Sequence, residues 1–270
     1  VAMPDLTIFG QGGVAFCLFW ASVYAVLLAI YFGLGGALVL LNRRMAHRRI
    51  QERTRSSRVA AEIRQSVVAL ALISFYVAAG LYAQHLGWVL FAPQPLTVLS
   101  FVGWMLVSAV AYDTWFYWGH RAMHTRALFR FHALHHRSLT PTTWSNNSDS
   151  LVGATVEQGY FLILPLLLPV PPEVLIAHKL YDQITGMISH CGHEYAASRS
   201  ARKPWPLLCT SFHDQHHSNF RCNFGNTFSI WDRLMGTVHP GYDTLVVDME
   251  QRSATPFPAE PDRQQSSTLS

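Results

Sequence analysis

Three long apolar runs, an arginine-rich loop between the first two, and histidine clusters that follow the third predict an all-α integral membrane protein. The expected architecture is about four transmembrane or re-entrant helices topped by a cytosolic, histidine-rich helical cap that holds two metal ions. Half of the 270 residues are hydrophobic and only 13% are charged, where a soluble domain carries roughly a quarter. The formal net charge of +4 invites a nucleic-acid partner. The basic residues crowd one loop between apolar segments, however, so no nucleic acid is expected. Cys17, Cys191, Cys209 and Cys222 form no CxxC pair and no disulfide framework, which fits a reducing compartment or membrane burial. No cleavable signal peptide is expected, because the first apolar run is too long and lacks a basic leader.

Taken in order, Val14 to Leu41 is 28 residues without a charge, ample for a span that needs about 20. Gly33, Gly35 and Gly36 within it suit close helix packing. Residues 43–64 carry eight arginines against Glu52 and Glu62, and so short a basic loop should stay cytoplasmic. The second run, Val67 to about Phe91, ends in Gln84, the boundary histidine His85 and an interfacial Trp88. The short turn Ala92-Pro-Gln-Pro95 predicts a tight hairpin. The third run, Leu96 to Tyr112, meets no helix breaker before His120, so one helix should leave the membrane carrying Asp113, His120 and His124. Leu151 to Val170, bent by Pro165 and Pro169, pairs with the more polar 173–189 as a full or a re-entrant hairpin. A polar, loop-rich stretch follows, with a helix around His213 and a mobile Pro-, Ser- and Gln-rich tail from about Thr244.

The histidines carry the chemistry. They read His120-x3-His124, His132-x2-His135-His136, His190-x2-His193 and His213-x2-His216-His217. Spacings of three and four place side chains on one helix face, so each cluster is expected to point together. Ten imidazoles exceed what one ion takes, since a zinc site uses about four ligands. They suit two ions of a nitrogen-preferring metal with open positions, which points toward iron and oxygen chemistry.

Together these stretches resemble the fatty acid hydroxylase and sterol desaturase superfamily of integral-membrane di-iron enzymes. The resemblance is carried by Asp113-Thr-Trp-Phe-Tyr-Trp-Gly-His120-Arg-Ala-Met-His124, Phe131-His-Ala-Leu-His-His136, His190-Cys-Gly-His-Glu194 and His213-Asp-Gln-His-His217. Asn223-Phe-Gly225 and Trp231-Asp-Arg-Leu-Met-Gly-Thr237 match the family's ending. The similarity covers residues 95–243, between an N-terminal transmembrane hairpin (1–94) and the tail (244–270). It implies two non-haem irons held by His120, His124, His132, His135, His136, His190, His193, His213, His216 and His217, His190 being the firmer ligand of its pair. No catalytic residue beyond the ligands is implied. Asp113 and Asp182, seven and eight residues before His120 and His190, are candidates to orient ligand rings, ahead of Asp214, Asp232 and Glu194. One departure stands out: many relatives carry His-Pro where this chain has Asp149-Ser150-Leu151.

The implied activity is hydroxylation of an unactivated C–H bond of a lipid drawn from the bilayer, using O2 and external electrons. Desaturation at the same site is the alternative. Sterols, fatty acyl chains, carotenoids and aminolipids all remain open as substrates. A separate electron donor of cytochrome b5 or ferredoxin type, with its reductase, is expected, because His239-Pro-Gly241 is followed by too few residues for a haem domain. The membrane would be a bacterial inner membrane or the endoplasmic reticulum, with the histidines on the cytoplasmic side. Two readings from other classes compete. A metal carrier would need ionisable residues along several spans, and a zinc hydrolase a carboxylate base, for which Glu194 is the obvious candidate.

Overall fold

The computed structural model describes residues 12–51 and 58–254. Arg53, Arg55 and Glu52 of the basic loop, and residues 255–270 of the expected tail, lie outside them. Regular structure among the described residues is helical, apart from two isolated bridges, Arg49 with His193 and Leu207 with Phe228. Three helices are long and apolar enough to cross a membrane: α1 (Gly13–Arg44), α2 (Val59–His85) and α3 (Val98–Met123). Shorter helices complete the chain: α4 (Phe129–His132), α5 (Leu151–Gln158), α6 (Tyr160–Leu167), α7 (Pro172–Ser189), α8 (Thr210–Ser218), α9 (Ile230–Leu234) and α10 (Tyr242–Ala254).

The N-terminal helices pair because apolar side chains and a few internal hydrogen bonds satisfy one another, as a low-dielectric surrounding demands. Trp20 Nε1 donates to Ser74 Oγ at 3.0 Å, and Tyr24 OH to the Val67 carbonyl at 2.9 Å. α3 begins at a capping box of Thr97 and Ser100. It then runs unbroken to Met123, as expected, with His124 as its C-cap. Its outer face shows Val98, Leu99, Leu106 and Val110 uncovered, while Tyr112, Phe116 and Tyr117 turn inward.

Residues 151–189 run from the histidine end to the opposite end of the helices and back. There the Leu90 and Gln94 amides donate to the Leu166 and Pro169 carbonyls at 2.8 and 2.9 Å, and Gln84 Nε2 to the Val170 carbonyl at 2.9 Å. The break in the descending arm is at Gly159, not at Pro165, which lies inside α6. Pro165 lacks the N–H that would engage the Phe161 carbonyl in a regular turn. That carbonyl instead faces Gly80 of α2, where a Cβ would lie 2.5 Å from it. Of Gly33, Gly35 and Gly36 in α1, only Gly35 makes a close approach, and its neighbour is the Trp144 ring rather than a helix.

The two ends of the helical layer differ. At one end the α2–α3 connection meets the turn after α6. At the other, residues 45–51 pack on the polar cap: Ile50 N donates to the Gly192 carbonyl and Glu194 N to the Arg48 carbonyl. The expected tail is amended here. The chain stays helical through Ala254, because Tyr242, Val246 and Met249 recur at helical spacing and are buried. Phe212 of α8 and Cys209 complete that small core.

Candidate metal centre

Two groups of histidines converge at the inner end of the cap. His120, His124, His132, His136 and His216 form one, with a ligand atom from each within 4.8 Å of the others. His135, His190, His213 and His217 form the second on the same criterion. Five segments supply them. His120 and His124 end α3; His132 ends α4; His135 and His136 open a 3-10 turn over His135–Arg137; His190 caps α7; and α8 carries the last three. The expectation that each HxxHH points together is corrected. Successive residues on a helical turn project about 100° apart, so His135 and His136 diverge, one to each group. α8 divides likewise: His213 and His217, four apart, go to one group and His216 to the other.

The outer nitrogens fix how the rings face. Nδ1 of His120, His190 and His216 lies 3.0, 2.7 and 2.7 Å from the carbonyls of Phe224, Gly186 and Cys222. A carbonyl only accepts, so each Nδ1 carries the proton and each Nε2 presents a lone pair. His190 Nε2 lies 2.8 Å from His213 Nε2 and 3.3 Å from His135 Nε2. His136 Nε2 lies 3.0 Å from His124 Nε2 and 3.1 Å from His216 Nε2. A neutral ring has one N–H, so these atoms cannot all satisfy one another. Nε2 of His120 and of His132 is buried and has no partner among the described residues. Lone pairs that converge in this way, and orphaned buried nitrogens beside them, fit a cation in each group.

Electrostatics favours the ligand-competent form. Burial lowers the pKa of His135 to about 4 and, reinforced by neighbouring imidazoles, that of His124 to about 4 and of His190 to about 3. His132, His213, His216 and His217 are held well below the ordinary value for the same reasons. All are therefore neutral at pH 7, with lone pairs free for a metal.

Other sequence candidates fall elsewhere. His193 joins neither group: its Nδ1 faces the Cys191 carbonyl at 3.3 Å and its ring stacks along Tyr195. The glycine between them, Gly192, turns the chain with φ of 72°, so His193 follows the basic segment instead of His190. Asp113 touches no histidine. Its Oδ1 accepts from the amides of Asn226, Thr227 and Phe228 at 3.3, 2.8 and 3.0 Å. Asp232 accepts from the Phe224 and Gly225 amides at 2.9 and 2.7 Å. Between them they fix the loop whose Phe224 carbonyl aligns His120. Asp182 pairs with Lys179 Nζ at 2.6 Å instead of with His190, and Asp214 accepts from Gln51 at 2.8 Å. Glu194 gives both oxygens to α8 and the loop before it: Ser211 N at 2.7 Å, Ser211 Oγ at 2.6 Å and Ala196 N at 2.8 Å. That removes it as a hydrolytic base. His178 is bonded to Ser108 Oγ at 2.6 Å inside the helical core.

Sequence reasoning passed over Asp149 and Glu157. Asp149 Oδ2 lies 3.3 Å from His132 Nδ1, and Glu157 Oε1 lies 3.9 Å from the same atom. The departure at Asp149-Ser150 was the available signal: Ser150 caps α5 by accepting from Gly153 N, which swings Asp149 beneath His132. A cavity of about 290 Å3 opens beside the two groups. His120, His135, His190 and His213 form one wall, and Phe116, Ala154, Ile188, Asn146, Asn147 and Glu157 others.

The family model described as fatty acid hydroxylase matches residues 105–237, the stretch that contains every histidine of both groups. A methylsterol monooxygenase of Aspergillus fumigatus is 31% identical over 139 residues, 47% of this chain and 43% of that protein. A Delta(7)-sterol 5(6)-desaturase of Gibberella zeae is 26% identical over 46% of this chain and 34% of its own. Mouse lathosterol oxidase is 26% identical over 57% and 56%. The similarity thus spans between a third and a little over half of each of these relatives. No solved structure matches the chain.

Proposed function

Because this chain belongs, through residues 105–237, to the fatty acid hydroxylase and sterol desaturase superfamily of lipid-modifying oxidoreductases, we propose that it is a membrane-bound di-iron oxygenase. It would hydroxylate an unactivated C–H bond of a lipid, with O2 as oxidant and electrons from a separate cytochrome b5- or ferredoxin-type carrier. The observation that carries this reading is the pair of histidine groups, five and four strong, whose lone pairs converge on two adjacent centres. Iron held there would supply O2 binding and the oxidising power for the C–H bond.

The chain's own residues do the rest. The five-histidine group and the four-histidine group would each hold one ion, with backbone carbonyls fixing the rings. Neutral ligands leave the positive charge on the metals, unlike the carboxylate-rich di-iron bundles. Burial of both groups behind α3, α7 and α8 keeps bulk water from the oxidant. The cavity beside them admits one end of a lipid, with Phe116, Ala154 and Ile188 against its apolar part.

Hydroxylation needs only that a substrate radical stay near the oxygen. Desaturation needs a second, adjacent C–H bond held within reach. Hydroxylation asks less of the site, and on that ground it is the reading proposed. The similarity to a sterol desaturase and to lathosterol oxidase keeps desaturation as the second reading. Purified protein, iron-loaded and supplied with reductant, lipid extract and 18O2, should place one labelled oxygen atom in a lipid alcohol. A product with a new double bond and no label would establish the second reading. No oxygen uptake by protein that retains its iron would defeat both.

A further inference from the structure

Two segments carry seven of the nine grouped histidines, residues 114–148 and 215–231. Between them they hold Arg121, Arg126, Arg130, Arg137 and Arg221 and no acidic residue at all. The acids that frame them in sequence, Asp113, Asp149, Asp214 and Asp232, are all buried. Arg126, Arg130, Arg137 and Arg221 are exposed, and none forms an ion pair among the described residues. Of the other cap arginines, Arg202 meets Glu250 at 3.0 Å and Arg233 meets Asp243 at 2.8 Å, while Arg199 and Arg252 are exposed without an ion pair among the described residues.

The charge lies beside an aromatic cover over the five-histidine group. The Phe220 ring lies 4.4 Å from the His136 ring and 5.9 Å from Phe129. Phe129 in turn lies 5.6 Å from His124 and 5.9 Å from His136. Phe129 and Phe220 are partly exposed, as is His124, so these rings lie between the surface and the five-histidine group. Each ring position is followed in sequence by an exposed arginine: Phe129 by Arg130, His136 by Arg137, Phe220 by Arg221.

We infer that this face is the docking surface for an acidic one-electron carrier protein, with Arg130, Arg137 and Arg221 around the contact and Phe129 and Phe220 at its centre. The inference rests on the oxygenase reading and names the side on which its electrons arrive. In each encounter the carrier's reduced centre would give up one electron and be oxidised, and iron held by the histidines behind the rings would be reduced by that one electron. No bond forms between the proteins. Uncompensated arginines would steer an acidic partner and set its orientation, an effect that salt weakens. A contact centred on two rings beside the ligands keeps the transfer distance short.

The test uses the full iron-loaded protein in neutral-lipid nanodiscs, with cytochrome b5 and an acidic ferredoxin as probes. Affinity for at least one probe should fall as salt rises from about 0.05 to 0.5 M. Arg130→Glu with Arg221→Glu should weaken it at least about tenfold, and Arg130→Gln with Arg221→Gln by less. Iron content, and oxygen uptake driven by a small uncharged reductant, should stay at the wild-type level in both variants. The surface would be wrong if charge reversal left affinity for both probes unchanged, or if Arg43→Glu with Arg44→Glu weakened it equally. It would also be wrong if the arginines altered only the protein's response to added anionic lipid, which would make them membrane contacts. Loss of iron-dependent oxygen uptake in the wild-type protein itself would defeat the oxygenase reading and not the docking surface.

Discussion

At the scale of single residues, the site depends on which nitrogen faces inward. Sequence spacing brought out the ten histidines but could not say how adjacent residues divide. His135 and His136 separate because a helical turn rotates them apart, and His193 leaves because Gly192 takes a positive φ. Nor could spacing find Asp149, whose approach to His132 depends on the cap that Ser150 provides for α5. Carboxylates at helical offsets, Asp113 and Asp182, looked better placed, yet one holds a loop and the other a lysine. A direct consequence separates two histidines of different motifs. His213→Ala removes a ring that lies 2.8 Å from His190 and should reduce bound iron from about two per chain toward one. His193→Ala should leave iron near the wild-type level, since the ring stands outside both groups. Metal analysis of the two purified variants decides it, and equal iron loss in both would return His193 to the ligand set.

At the scale of elements, helices were legible where apolar length or periodicity dominated. α1, α3 and α8 lie where the sequence places them, because a long charge-free run or an HxxHH pattern leaves few alternatives. Breaks and junctions were less legible. Pro165 looked like the bend, since a proline lacks its N–H and crowds the carbonyl four residues back, but the Phe161 carbonyl is accommodated by packing. Gly80 does that work: a Cβ there would lie 2.5 Å from the Phe161 carbonyl and 2.8 Å from the Pro165 ring. A backbone oxygen cannot swing aside as a side chain can, so Gly80→Leu should force α2 and α6 apart. Overpacking of this kind costs about 1–3 kcal/mol, a drop of roughly 2–8 °C in the melting temperature. Gly33→Leu, with nothing within 4 Å of its Cβ position, serves as control. Thermal unfolding in one detergent compares the pair, and a Gly80→Leu variant that melts with wild type would show that the contact is not tight.

At the scale of the whole molecule, the fold sets the basic segment and the metal site at one end. Residues 48–50 hydrogen-bond to residues 192–194, next to His190, while the α2–α3 connection meets residues 166–170 at the other end. Whichever way the protein sits, the arginines and the histidines therefore share a side. Arginine-rich short loops resist translocation, so we propose that the shared end lies in the cytoplasm. Single cysteines test this in a background where Cys17, exposed on α1, is replaced by alanine. Arg44→Cys and Leu139→Cys sit at the histidine end, and Trp88→Cys at the other, all on exposed positions. With a thiol reagent that does not cross membranes, Trp88→Cys should react in intact cells, while the other two react only after the membrane is opened. Reaction of Arg44→Cys and Leu139→Cys from outside would invert the protein. Reaction of those two from opposite sides would contradict the fold as well as the orientation, because the contacts at residues 48–50 leave no room for a bilayer between them.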